Sequence, residues 1–322
     1  MLEGNEVFPQ NLKIREAEKV EITSLMDNSV DFLSTVQRKE VKSVREWTKK
    51  LFRLPIAEHG FSMLIRVSDG KGFHSVLFDA GISPNGVVTN AERMGIRLAE
   101  IECIVLSHGH YDHFGGLKAI VKAVRKDNLP IIVHEEMFKR RGVANPDGTI
   151  REYPAFPTEE SVKPAKYIKT RQPSLIAENL ILVTGEIPRT TSFEKGYPQH
   201  RAFVNGEWQP DPLIWDDRAL VISIKNKGLV IVSGCAHAGI VNTILYAQQL
   251  TGIRAVYAVL GGFHLAGKES EPRINQTVEE LKKMNPNMVA PSHCTGWRGI
   301  YAIAKTMPEA FVWNSVGNLY TL

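Results

Sequence analysis

The stretch Ile104 to Gly116, IVLSHGHYDHFGG, gathers His108, His110, Asp112 and His113 within six positions. Alternate residues of an extended turn point the same way, so His108 and His110 can grip one ion together. Asp112 and His113 fall where a helix is about to begin and can face a second ion beside the first. Neutral imidazole and carboxylate suit zinc, and also iron or manganese. A polar loop that happened to be rich in histidine would explain the composition but not its placement, after an apolar run and before a Gly-Gly pair. Buried clustered imidazoles need partners, and a metal supplies them.

To deliver such groups to one place, several strands must end near one another. An apolar, β-branched run closing on small residues and a histidine recurs as CIVLSHGH to His110, GLVIVSGCAH to His237, AVYAVLGGFH to His264 and NMVAPSHC around His293. Runs of this kind, bounded by Gly, Ser or Pro, read as strands buried on both faces. The helical patterns GLKAIVKAVRKD and GIVNTILYAQQL follow two of them, and RINQTVEELKKM precedes the last. Hairpins are predicted around Asp69-Gly70 and around Asn226-Lys227-Gly228. Strand–helix units beside hairpins predict a layered α/β fold of mixed sheets, not a doubly wound parallel one. Between about residues 135 and 211 the periodicity weakens and Pro, Gly and polar residues accumulate, which predicts an inserted lid or subdomain.

The 322 residues suffice for a substantial core, and 43% hydrophobic with 23% charged residues is the balance of an ordinary globular chain. A net charge of +4, with no dense Lys/Arg stripe interleaved with aromatics, gives no reason to expect nucleic acid as a partner. The most basic run, Arg38 to Arg53, carries Val41, Val44, Trp47 and Leu51 at helical spacing and predicts a solvated helix face. Cys103, Cys235 and Cys294 form neither a CxxC pair nor an even disulfide framework, and Cys103 reads as a buried small hydrophobe. Without a signal-peptide core or a run of membrane-spanning length, a cytoplasmic location and no membrane partner are expected.

The segment His108-Gly109-His110-Tyr111-Asp112-His113 resembles the signature of the metallo-β-lactamase superfamily, whose members fold as an αββα four-layer sandwich with a metal centre at one sheet edge. LFDAG, Leu77 to Gly81, is similar to that superfamily's early motif, in which the aspartate, here Asp79, orients the site from behind the ligands. EITSLMDNSVDF, EHGFSMLI, TGEIPRTTSFE, SGCAHAGIVNT, GGFHL and PSHCTG together resemble one branch, usually named for 7,8-dihydropterin-6-methyl-4-(β-D-ribofuranosyl)aminobenzene-5′-phosphate synthase. The resemblance runs from about Val20 to the C-terminus, which implies one domain over 20–322 and an N-terminal extension over 1–19.

The resemblance implies two divalent ions, zinc first and iron or manganese as alternatives, held by His108, His110, Asp112, His113 and the later His293. The superfamily usually adds a third histidine before a strand ending in Gly-Asp, and bridges the ions with that aspartate. Here the strand ends Ser233-Gly234-Cys235, and no histidine stands near LIWDDRALV. Either Cys235 takes the aspartate's place and His237 replaces the missing histidine, or Cys235 merely packs and His237 binds alone. Asp216 or Asp217 can also reach, although acidic pairs in loops are more often solvated or helix-capping. His264 can be a ligand, a proton donor or a substrate contact. Cys294 is expected to pack behind His293, and His74, His134 and His200 lack any site context.

For a substrate, Arg189 can take phosphate or carboxylate bidentately, Lys195 can add charge, and His59 can border the pocket. A small phosphorylated or anionic molecule fits these residues. The expected protein is therefore a metal-dependent enzyme using metal-bound hydroxide, with Asp112 orienting the nucleophile and His264 protonating the leaving group. Pterin phosphate condensation and phosphoester or phosphodiester hydrolysis are both compatible. A flavodiiron-like redox protein typically carries glutamate where His110 stands, and no iron–sulfur cysteine set or flavin-binding segment is visible. A scaffold that has lost catalysis is the remaining class, and a homo-oligomer is compatible with any of them.

Overall fold

The sequence's alternating strands bury one face against each other and the other against helices, and this builds four layers. The computed structural model describes residues 11–36, 38–48 and 53–322. One sheet has eight strands in the order Lys166–Lys169, Pro130–Val133, Cys103–Val105, His74–Phe78, Ser62–Ser68, Lys19–Met26, Leu319–Thr321 and Val41–Lys42. The second runs Ser174–Ile176, Ile181–Val183, Ala219–Ile224, Gly228–Ser233, Val256–Gly262 and Met288–Ser292, with Glu16–Ala17 pairing in parallel with Ala219–Ile224.

Side chains along each strand point alternately to its two faces. Met63, Ile65 and Val67 therefore join Leu220, Ile222 and Ile224 in the core between the sheets. Leu64, Leu77 and Ile104 face outward onto helices Gly86–Met94 and Leu117–Val124. Val221, Ile231 and Val259 pack outward on the other sheet, under helices Ile240–Thr251, Ile274–Met284 and Gly296–Thr306. The expected αββα sandwich of mixed sheets is what the chain forms, and both predicted hairpins are present as antiparallel pairs.

Three stretches differ from expectation. The span 135–211 is not one appended piece: Lys166–Lys169 extends the first sheet, and Ser174–Ile176 and Ile181–Val183 extend the second. The rest contributes to a separate four-stranded sheet in the order Glu207–Pro210, His200–Val204, Arg141–Ala144 and Ile150–Glu152. Strands of three to five residues separated by turns leave too few alternations to register as a period. Residues 11–19 lie along the domain, with Leu12 N–H bonded to Leu250 O and Ala17 in the core. Among the described residues of the basic run, Val41 pairs as a strand and Val44–Trp47 is helical, while Leu51 lies outside the described residues. Among the described residues no helix is long and apolar enough to cross a membrane.

Register decides where the histidines emerge. Gly228–Ser233, Val256–Gly262 and Met288–Ser292 run parallel, with Ser233 opposite Gly261 and Gly262 opposite Ser292. Their C-terminal ends share one edge, so the segments carrying His237, His264 and His293 all leave the sheet there. In the facing sheet Phe78 pairs with Val105, which sets Asp79 beside the start of the His108 segment.

The turn after that segment is tightly seated. A Cβ built on Gly115 would lie 1.8 Å from the carbonyl oxygen of Ile82, and Gly115 N–H donates to Gly81 O at 2.8 Å. Gly115→Ala is expected to cost about 3 kcal/mol, since backbone and not a flexible side chain must move. A thermal melt should show a fall of several degrees; an unchanged midpoint would contradict the close approach.

Candidate metal centre

Asp79 is the fixed point of the cluster. It is fully buried and held at φ +63° directly after the strand His74–Phe78. One carboxylate oxygen accepts the Ser107 N–H at 2.6 Å; the other accepts the Ser107 hydroxyl at 2.7 Å and lies 2.7 Å from His113 Nδ1. Ser107 Oγ is also 2.9 Å from His108 Nδ1. With both δ-nitrogens engaged from behind, His108 and His113 present their ε-nitrogens to the cavity side.

Two groups of donors result, and both include Cys235. His108, His237 and Cys235 bring their ligand atoms within 4.8 Å of one another, as do His113, His293 and Cys235. His110 joins the first, its Nδ1 2.9 Å from His108 Nε2 and its ring 4.8 Å from that of His237. Asp112 joins the second, with Oδ2 3.2 Å from His293 Nε2 and 3.7 Å from His113 Nε2. The Cys235 thiol is 3.2 Å from His113 Nε2. The ligand atoms of Cys235, His264 and Cys294 likewise lie within 4.8 Å of one another.

Burial, and then crowding by neighbouring imidazoles, lowers the pKa of His108 and His237 well below the ordinary histidine value; burial and His200 do the same to His110. These rings are neutral donors. Burial also opposes charge on His113, but the carboxylates of Asp79 and Asp112 outweigh it and lift its pKa to about 9. Burial alone would raise Asp112; His113, His293 and His110 reverse that and hold it well below the carboxylate range. Both ring nitrogens of His237 are buried without a hydrogen-bond partner. A buried imidazole left so costs free energy unless the lone pair of its unprotonated nitrogen is taken up, and a divalent cation suits this donor set of imidazole, carboxylate and thiol.

A pocket of about 810 Å³ opens above these residues, with Asp112, Cys235, His237 and His264 in its lining. His264 is half-buried, its ring 4.2 Å from that of His237. His59 lies exposed at the rim, stacked on His293 at 4.7 Å and with Nε2 3.6 Å from Asp112 Oδ2.

The family model described as the metallo-beta-lactamase superfamily matches residues 56–200. A protein of Methanocaldococcus jannaschii, named 7,8-dihydropterin-6-methyl-4-(beta-D-ribofuranosyl)-aminobenzene-5′-phosphate synthase, is 32% identical over 261 residues, 79% of this chain and 87% of its own. The chain belongs to the metallo-beta-lactamase superfamily. An uncharacterised protein of the same organism is 31% identical over 84% of this chain and 94% of its own. A solved structure described as a metal-dependent hydrolase of the beta-lactamase superfamily aligns with TM-score 0.71 and 25% identity over 94% of this chain and 98% of that one. The fold is shared more distantly with YhfI of Bacillus subtilis, at TM-score 0.52 and 12% identity over 95% and 100% of the two chains.

Within this metallo-beta-lactamase fold several expectations are corrected. Asp216 and Asp217 are not solvated: both are buried behind the site. Asp216 accepts the Gly109 N–H at 2.7 Å and a bidentate pair from Arg141 at 2.6 Å each, bracing the turn between His108 and His110. Asp217 accepts the Ala238 N–H at 2.9 Å, fixing the turn after His237. Arg189 is outside the pocket, with its guanidinium donating to the carbonyls of Ile187 and Leu213 and stacked over Trp215. Lys195 is exposed and also outside it. Charge in a loop is visible in the sequence, but whether it faces the pocket depends on the third sheet.

His200, read as bland, is buried with Nε2 3.0 Å from His110 Nε2 and Nδ1 2.9 Å from Asp211 O. No local pattern marks it, because only the third sheet carries it there. Asp27, inside a motif quoted for its resemblance alone, accepts the His293 N–H at 2.8 Å. His134 and His74 are bound to Glu186 and Glu102 away from the cluster, and Cys294 donates to Cys235 O.

Arg141→Met removes the partner of a buried carboxylate and should cost about 3–5 kcal/mol. Denaturant unfolding measures it, and a loss below about 1 kcal/mol would mean that Asp216 is adequately held by the Gly109 amide alone.

Proposed function

We propose that the chain is a metal-dependent enzyme acting on a small phosphorylated or anionic substrate, with two divalent cations, zinc first among the candidates. His108, His110 and His237 would hold one ion and Asp112, His113 and His293 the other, and the Cys235 thiol, which belongs to a donor group on each side, could serve as a ligand to either. His237 carries this reading, because its ring is buried with neither nitrogen hydrogen-bonded, and a cation would take up the lone pair of its unprotonated nitrogen. Divalent ions there would supply Lewis-acid polarisation and a lowered pKa for water.

The protein's own groups do the rest. Asp79 and Ser107 hold His108 and His113 in one tautomer and one orientation, so the donors need no rearrangement. Asp112 keeps a negative charge at neutral pH and orients the attacking group. His264, on the pocket wall, passes a proton to the departing one. The synthase-named relative, matched over most of its length, favours condensation of a dihydropterin bearing a diphosphate with a ribofuranosylaminobenzene phosphate. In that reaction the aryl amine forms a C–N bond and gives up a proton to solvent, while the C–O bond breaks and diphosphate leaves with its electrons. The structure described as a metal-dependent hydrolase favours a second reading, hydrolysis by the same constellation, for which a phosphoester is the substrate to try. Product analysis with both substrate types separates them.

His110→Ala and Asp112→Ala should each abolish turnover and lower metal content from about two ions per chain, measured by elemental analysis. Full activity in either variant would sink the metal reading. Cys235→Ala distinguishes a ligand from a packing thiol: a ligand role predicts loss of at least one ion, and unchanged stoichiometry and turnover would leave Cys235 as packing only.

A further inference from the structure

The third sheet walls one side of the pocket. Its edge strand Ile150–Glu152 and the residue after it bring Arg151 and Tyr153 into the lining, and Tyr197 joins from the loop before His200–Val204. Tyr153 stands edge-on to His110, with centroids 5.2 Å apart at 76°. The Arg151 guanidinium carbon lies 5.5 Å from the Tyr153 centroid. From floor to mouth the order is histidine, aromatic ring, cation.

The neighbouring arginines are committed elsewhere. Arg140 is paired with Glu152, Arg141 with Asp216, and Arg201 donates Nη1 to the carbonyls of Pro198 and His200. The Arg151 guanidinium has no hydrogen bond or ion pair with any described residue. Lys268 and Glu269 also line the mouth.

We propose that Arg151 and Tyr153 are the specificity element of this site. Tyr153 packs a planar aromatic or heteroaromatic ring, and Arg151 takes a phosphate or similar anion at the ring's far end while the near end reaches the histidine floor. The proposal rests on reading that floor as the reacting centre. A guanidinium presents a planar fork matched to phosphate oxygens, and one without a competing carboxylate is free to use it. Tyrosine offers a rigid aromatic surface for a ring. The spacing makes the distal anion a handle held a ring's length from the reacting atoms, not the group that reacts.

Binding of 1-naphthylmethylphosphonate, which joins an aryl ring to a dianion and has no ester bond, tests this on the zinc-loaded full chain by calorimetry. Arg151→Met and Tyr153→Leu should each weaken it about tenfold or more, while inorganic phosphate, which lacks the ring, changes by less than about twofold. Both positions are at least partly exposed, so the variants should fold, and circular dichroism checks that they do. Wild-type-like phosphonate binding by Arg151→Met, no binding by the wild type, or equal losses for phosphonate and inorganic phosphate would each overturn the proposal. Zinc-stripped wild type separates this from the metal reading. If it still binds the phosphonate and Arg151→Met does not, the recognition element stands even where metal titration shows that the floor binds no ion.

Discussion

The arrangement depends on one buried carboxylate. Asp79 accepts the Ser107 amide and hydroxyl and lies against His113 Nδ1, so a single side chain ties a strand end to the segment carrying four donors. A buried carboxylate is tolerated only when its lone pairs are filled. Here the groups that fill them are those whose orientation the centre needs. The left-handed backbone at Asp79 follows from the same demand, since the chain must turn sharply to aim the carboxylate across at Ser107.

Around that point the fold brings together groups that would be costly apart. Several imidazoles, two thiols and carboxylates are removed from water at the rim of the two sheets; hydrogen bonds hold the δ-nitrogens of His108 and His113, while both ring nitrogens of His237 have none. Packing in the three apolar clusters holds the strand ends where they are. The unsatisfied ring nitrogens of His237 are therefore a cost carried by the core, and any cation that binds the native arrangement returns part of it as stability. Asp216, Asp217 and Asp27 show the same division of labour: each acidic side chain fixes the backbone next to a donor without reaching the donors' common face.

How much of this was legible in the sequence follows from how local each signal is. The cluster from His108 to His113 is read directly because its spacing and its flanking apolar and Gly-Gly segments occur within a dozen residues. His237, His264 and His293 could be brought together from the repeated strand-then-histidine pattern, since parallel strands in register end at one edge. His200 could not. It lies on a short strand whose partners are Arg141–Ala144 and Glu207–Pro210, and nothing in GYPQHRAFV announces a buried ring. Residues 135–211 looked like one insertion for the same reason: their three- and four-residue strands carry little periodicity, although some of them complete the main sheets.

Charge was the least legible property. Arg189 and Arg151 are both arginines in polar, proline-containing segments, and the sequence offers no ground to prefer one. The fold separates them by what their guanidinium groups already hold. Arg189 is occupied by the carbonyls of Ile187 and Leu213, so using it on a ligand would leave two backbone acceptors without donors. Arg151 has no such obligation, and it stands beyond an aromatic ring that touches the histidine floor. The four layers supply the edge where the donors converge, and the small third sheet supplies the wall that faces a ligand. Relatives that keep the layers and vary that wall would keep the centre and change what it accepts, because the donors and the lining residues are carried by separate elements.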